Sequence, residues 1–109
     1  MGAIPGLFTS AVDTKDWAPD PDVPGSEMHE LVHADGVWAG MTRILEATEP
    51  LAWTPDQREC IVVLEGRVRI EAEAKVVADL GPGDSASLPA GLETTWHLST
   101  PFKEFWVLV

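Results

Sequence analysis

Short apolar runs separated by turn residues make up most of the chain from residue 28 onward. Residues 67–74 alternate between charged and apolar side chains, which is typical of a strand with one face in solvent. Residues 60–64 are rich in β-branched side chains, which favours a strand. Good helix formers at residues 41–47 leave helix and strand in competition, and their surroundings favour a strand. The pattern therefore predicts a chain without a clear helix.

Turn signals divide these runs at fairly even spacing. Asp35-Gly36 is a strong signal for a tight turn, and Glu65-Gly66 is interpreted as another. Gly, Pro and Asp cluster again at residues 81–84, and Pro89-Ala90-Gly91 marks a further turn. Several short strands separated in this way indicate a β-sandwich or a β-barrel.

The first part of the chain differs in composition from the rest. Residues 1–25 hold four of the nine prolines and three glycines, which favours an extended arm. We therefore predict an N-terminal arm over residues 1–27 and a β-barrel over residues 28–109. Phe8 and Trp17 could pin this arm onto the barrel or onto a neighbouring subunit.

Length and charge exclude several classes of function. With 109 residues the chain forms one domain, and its formal charge of −11 argues against nucleic-acid partners and against an anionic membrane surface. Cys60 is the only cysteine, so no internal disulfide can form, and its apolar neighbours predict burial. The N-terminus lacks signal-peptide features and no apolar stretch approaches the roughly 18 residues of a membrane span, so we expect a cytoplasmic protein.

Two segments resemble the motifs of the cupin superfamily. In the first, Glu59 and Gly66 are separated by six residues, and in the second, Gly83-Asp84 is followed by Pro89-Ala90-Gly91. The resemblance covers residues 36–109. Trp96 and Lys103 add a finer similarity to the ureidoglycine aminohydrolase and ethanolamine-utilisation cupins. It implies an all-β, single-domain cupin jelly-roll β-barrel with an extended N-terminal arm, a ligand pocket in the barrel mouth and a homodimer.

The metal ligands of a typical cupin are mostly missing. The family's Glu ligand corresponds to Glu59, but its paired histidines fall at Trp53 and Pro55, or one residue earlier, and its last histidine falls at Thr94. Because transition metals require several imidazole or carboxylate donors, we predict no metal and no other cofactor. Three histidines are instead expected at the surface or at an interface: His29, His33 and His97.

Strand alternation, anchored on the inward Glu59 of the family, predicts which residues line the pocket. Three groups are each expected to share one face: Glu59, Ile61 and Val63; Thr94, Trp96 and Leu98; and Lys103, Phe105 and Val107. The candidate ligand-binding residues are Trp53, Thr94, Trp96, Ile61 and Phe105, with Trp38, Met41 and Arg43 as secondary candidates. Trp53 is expected to project into the same cavity.

Glu59 and Lys103 are the candidate catalytic residues. Burial in an apolar barrel would raise the pKa of Glu59 and suit it to act as a general acid or base, whereas pairing with Lys103 or an Arg would keep it charged. The first hypothesis is therefore metal-independent isomerisation, cyclisation or elimination of a small molecule, with Lys103 as electrostatic stabiliser. The alternatives are a non-catalytic ligand-binding or sensor cupin, and a metal-dependent enzyme resembling ureidoglycine aminohydrolase.

Overall fold

A computed structural model of the protein describes residues 4–109, and these residues form an all-β domain without a helix. The eight strands are β1 (Ala18–Pro19), β2 (Ser26–Ala34), β3 (Val37–Ile44), β4 (Leu51–Trp53), β5 (Glu59–Ala72), β6 (Lys75–Leu80), β7 (Ser85–Leu88) and β8 (Thr94–Leu108). The predicted all-β, single-domain fold is confirmed, and the competition at residues 41–47 is resolved as a strand that ends at Ile44.

The longest strand, β8, organises the sheet. All pairings are antiparallel, and the main path runs β1-β2-β3-β8-β5-β6. The short strand β4 pairs with the start of β8, and β7 pairs with the start of β5. Side chains that leave β3, β5 and β8 on the same side therefore converge on one interior, where the hydrophobic core lies.

The inward face of β5 changes parity within the strand. Ile61 and Val63 are buried before Gly66, and Val68 and Ile70 are buried after it. The pairing with β8 is irregular between Val63 and residue 67: β5 has one extra residue before Glu65, and β8 has two extra residues between Ser99 and Lys103. These irregularities keep apolar side chains of β5 inward on both sides of Gly66.

Gly66 makes this irregularity possible. Its φ is +78°, and a Cβ there would collide with the carbonyl oxygens of Ser99 and Pro101 on β8. The interpretation of Glu65-Gly66 as a turn is therefore wrong. The chain turns instead at Glu73 and the residue after it, between β5 and β6.

The N-terminal arm lies along the outer side of the barrel. Its two-residue strand β1 pairs with β2, and Ser10 and the Asp16 carbonyl group both bond the ring of His29, at 2.8 Å each. The indole ring of Trp17 lies 4.5 Å from the guanidinium group of Arg43, a cation–π contact. These contacts attach the arm to its own barrel.

Cys60 lies on the outer face of β5 and is exposed. The prediction that Cys60 is buried is wrong, because strand alternation places it outward when Glu59 points inward. Its thiol lies 3.5 Å from the hydroxyl group of Ser87 on β7.

Within the described residues, no helix is long and apolar enough to cross a membrane.

Candidate functional site: a carboxyl pair in a tryptophan-lined cavity

A cavity of about 210 Å³ opens in the barrel interior. Four of the five tryptophans line it: Trp38, Trp53, Trp96 and Trp106. Aliphatic and aromatic side chains from β2, β3 and β8 complete the apolar wall, among them Met28, Ile44, Phe102 and Leu108. A mostly apolar enclosure with a few polar groups is typical of small-molecule sites.

Glu59, the first residue of β5, projects into this cavity and is only 4 % exposed. Its Oε1 accepts a hydrogen bond of 2.6 Å from Nε1 of Trp53 on β4. Burial raises the pKa of Glu59, and the bond from Trp53 lowers it in part, because that bond favours the charged form. Glu59 is therefore a carboxyl group with one oxygen held in place and a raised pKa.

Glu104 on β8 is a second buried carboxyl group on the same cavity. It is 5 % exposed, and its buried Oε2 has no hydrogen-bond partner in the described chain. Burial raises the pKa of Glu104 well above its ordinary value, and the negative charge of Glu59 raises it further. An unpartnered buried oxygen is costly, which makes this group a marker of function.

The two carboxyl groups enter the cavity from neighbouring strands. Glu59 lies opposite Leu108 and Glu104 lies opposite Val63, so their positions are four residues apart along the β5–β8 pairing. They therefore occupy different parts of the wall around a shared space. A ligand in the cavity could contact both.

Sequence reasoning missed Glu104 because it placed the inward face of β8 one residue out of register. The inward residues at the end of β8 are Phe102, Glu104, Trp106 and Leu108, whereas Lys103, Phe105 and Val107 were predicted there. The sequence contains the information needed to place Glu104. Thr94, Trp96 and Glu104 are even numbers of residues apart on the continuous strand β8, so their side chains lie on the same face.

Lys103 consequently lies outside the cavity, which corrects its predicted place beside Glu59. Its ammonium group donates a hydrogen bond of 3.0 Å to the carbonyl oxygen of Val12 in the arm and lies 5.7 Å from the ring of Trp17. Glu59 is paired neither with Lys103 nor with an Arg, and its partner in the described chain is Trp53.

Five other candidates also lie outside the cavity lining: Phe105, Met41, Arg43, Ile61 and Thr94. Phe105 shares the outward parity of Lys103, and Met41 and Arg43 leave β3 on the face opposite to Thr42, which lines the cavity. Arg43 forms an ion pair with Glu27, 2.9 Å between Nε and Oε1. Ile61 is buried in the hydrophobic core rather than at the cavity wall.

Thr94 is hydrogen-bonded to two of the tryptophans that line the cavity. Its hydroxyl group donates a short hydrogen bond to the carbonyl oxygen of Trp53 and accepts a bond of 2.9 Å from Nε1 of Trp96. Thr94 therefore positions two of the tryptophans without lining the cavity. Of the predicted ligand-binding residues, the structure brings three to the cavity with Glu59: Trp38, Trp53 and Trp96.

Three further acidic residues line the cavity. Asp20 and Asp22 come from the segment between β1 and β2, and Asp56 comes from the segment between β4 and β5. Sequence reasoning missed them because the course of these segments depends on contacts distant in sequence. The ionisable lining residues are thus five acids, and the described lining contains no Lys, Arg or His.

The residues at the family's metal position do not fit a divalent transition metal. Glu59 is the only family ligand retained, and Thr94 uses its hydroxyl group in hydrogen bonds to protein. Within residues 4–109, His, Cys, Asp and Glu form no group of three or more that could hold a metal ion. His97 points away from the cavity, with its Nε2 3.0 Å from Oε1 of Glu71.

The fold and the site define a cupin, and similarity to known sequences identifies the family. Residues 42–105, more than half of the chain, match the EutQ-like cupin domain, and the chain belongs to this family. No curated protein matches the sequence significantly.

Solved structures agree on the fold. An RmlC-like cupin from Shewanella frigidimarina has a TM-score of 0.71 and 14 % identity, covering 91 % of this chain and 86 % of that one. The EutQ protein of Clostridium difficile has a TM-score of 0.62 and 18 % identity, covering 75 % of this chain and 60 % of that one. KdgF from a Halomonas species has a TM-score of 0.66 and 18 % identity, covering 85 % and 84 %. At these identities the likeness is one of fold alone.

Proposed function

We propose that this cupin acts on a small organic molecule in the tryptophan-lined cavity by general acid–base chemistry that requires no metal. The reaction class is an isomerisation, cyclisation or elimination. The observation that carries the proposal is the pair of buried carboxyl groups, Glu59 and Glu104, on one cavity wall. Two carboxyl groups whose surroundings separate their pKa values are how many enzymes obtain an acid and a base from the same side chain.

Each carboxyl group has a distinct role in this proposal. Glu59 carries the charge, because its pKa is raised less and Trp53 stabilises its ionised form. Glu104 carries the proton, because full burial and the nearby charge both disfavour its ionisation. Glu59 is therefore the general base and Glu104 the general acid.

The proton balance is simple. Glu59 removes a proton from the bound molecule, and Glu104 donates one to the atom where negative charge develops. The step leaves Glu59 protonated and Glu104 ionised, and exchange of protons with solvent restores both groups. The apolar wall keeps water from competing as base, which strengthens both transfers.

Deuterium incorporation tests this proposal with a pool of compounds in place of a single substrate. The protein is incubated in D₂O with a pool of small carbonyl and imine compounds, and incorporation or rearrangement is detected by mass spectrometry. We expect at least one member of the pool to react, with the same rate before and after treatment with a chelator.

Two results would contradict the proposal. A rate that disappears on chelation and returns with added metal would indicate a metal-dependent enzyme. Specific binding of pool members without any incorporation or rearrangement would indicate a binding or sensor protein.

We also propose a homodimer, with the arm contributing to the interface. Four apolar side chains of the arm are more than half exposed: Ile4, Leu7, Phe8 and Val12. Exposed apolar residues grouped in this way are typical of association surfaces. Light scattering after size exclusion should give twice the mass of one chain, and removal of residues 1–12 should give a monomer; a monomeric full-length protein would contradict the proposal.

A further inference from the structure

The polar groups of the cavity point to a ligand with a defined charge. Its ionisable lining groups are all carboxyl groups, whereas the nearby cations Arg43 and Lys103 face the arm on the other side of the sheet. An anionic ligand would find only like charges there. A cationic ligand would find opposite charges at the mouth and at Glu59.

The indole N–H donors of the wall are already used. Each indole N–H group that lines the cavity donates to a protein oxygen: Trp38 to Glu30 at 2.8 Å, Trp53 to Glu59 at 2.6 Å, Trp96 to Thr94 at 2.9 Å and Trp106 to Thr42 at 2.8 Å. The tryptophans therefore offer a ligand the aromatic surface of their rings, and the wall adds carboxyl oxygens, the hydroxyl group of Thr42 and the side-chain amide of Gln57. Aromatic rings and carboxylates together attract organic cations.

Glu104 identifies where such a ligand would be bound most closely. Its Oε2 is buried and lacks a partner within the described residues, and Glu104 is one of the residues that line the cavity. A ligand N–H group would satisfy this oxygen, which an apolar ligand would not. Glu104 holds a proton in the free protein, and a positive charge placed beside it favours its ionised form, so binding of a cation releases that proton.

We infer that the cavity selects a small organic cation bearing N–H groups, an alkylammonium compound, with the ammonium group at Glu104 and the alkyl part among the tryptophan rings. This inference rests on the proposed function for the location of the site, and it adds the class of the ligand. A volume of about 210 Å³ limits the ligand to a small molecule.

A matched set of probes tests the inference by isothermal titration calorimetry. Butylammonium, butan-1-ol and butanoate share one alkyl chain and differ in the charge of the head group. We expect butylammonium to bind at least about tenfold more tightly than butan-1-ol, a difference of about 1.4 kcal/mol, and butanoate to bind most weakly. Added salt should weaken the binding of butylammonium alone.

Variants of the protein then locate the head group. Glu104→Gln should weaken the binding of butylammonium by about fivefold or more and leave that of butan-1-ol unchanged, since only the charged probe gains from the carboxyl group. Glu65→Gln is the matched control, because Glu65 lies on β5 with an exposed side chain, and it should change neither affinity.

Equal affinity for butylammonium and butan-1-ol, preference for butanoate, or no binding of butylammonium at millimolar concentration would each overturn the inference. These outcomes leave the acid–base proposal standing if the protein still promotes deuterium incorporation. Conversely, selective binding of butylammonium without incorporation would support the inference and contradict the acid–base proposal.

Discussion

Substitution of Glu59 by glutamine is expected to lower the rate of deuterium incorporation by about 10²–10⁴-fold, the usual contribution of a positioned general base. The amide has nearly the same shape as the carboxylate, and its oxygen can still accept the bond from Trp53, so the cavity should keep its form. What the variant loses is the ability to take up a proton. Rates measured on the pool member with the fastest wild-type incorporation give the comparison.

Glu65→Gln serves as the control for this substitution. It makes the same chemical change on the same strand, at an exposed position outside the cavity. Its rate should equal that of the wild type. A Glu59→Gln protein that is folded and retains the wild-type rate would remove Glu59 from the reaction.

The second large effect is on stability. Glu104→Gln is expected to raise the free energy of unfolding at pH 8, because ionisation of the buried Glu104 costs the wild type about 1.4 kcal/mol for each pH unit by which folding raises its pKa. Most substitutions at buried positions destabilise a protein, so the expected sign is itself diagnostic. Urea denaturation of both proteins at pH 5 and pH 8 gives the difference.

The pH dependence follows from the direction of the shift in pKa. Because folding raises the pKa of Glu104, the folded chain binds this proton more tightly than the unfolded chain, whose Glu pKa is near 4.5. Wild-type stability should therefore fall as the pH rises from about 4.5 to the folded pKa and become level above it. The Glu104→Gln protein should lack this part of the fall and keep the smaller part due to Glu59.

The pH dependence of stability has a matched control in an exposed glutamate on β5. Glu65→Gln should reproduce the wild-type pH dependence, since Glu65 is exposed. A Glu104→Gln protein that is less stable than the wild type at pH 8, with unchanged pH dependence, would mean that Glu104 is ionised and stabilised in the native protein.

The fold was predictable from the sequence because it is encoded in local patterns. The alternation from residue 67 to Ala72 and the turn at Asp35-Gly36 both appear in the structure where they were expected. The main error in the predicted fold concerns Gly66. Its positive φ is required by an irregularity within one strand, not by a turn between two strands. A turn and a bulge place the same demand on a glycine, so composition alone does not distinguish them.

The site was predictable only in part, because it depends on strand register. Glu59, Trp53 and Trp96 were found through motif positions that lie close to turns, where register is well defined. Glu104 was missed because the group that begins at Thr94 and the group that begins at Lys103 were given independent registers, although both lie on the single strand β8, and this exchanged Glu104 for Lys103. A shift of one residue reverses every side chain of a strand, so this single error replaced an acid by a base.

That error also changed the expected chemistry. With Lys103 inside, the cavity would have held one acid and one base. With Glu104 inside and the aspartates at its lining, the cavity is acidic throughout. Five of the acidic residues that contribute to the charge of −11 thus line the candidate site.

Carbon-13 NMR titration of the glutamate side chains tests the central claim most directly, since the account requires two buried carboxyl groups with separated pKa values on one cavity. We expect Glu59 and Glu104, assigned by the loss of one resonance in each Gln variant, to titrate above the ordinary glutamate range, with Glu104 the higher. Removal of Glu59 should lower the pKa of Glu104 without returning it to the ordinary value, because burial remains. Titration of both groups within the ordinary range, near 4.5, would contradict the account.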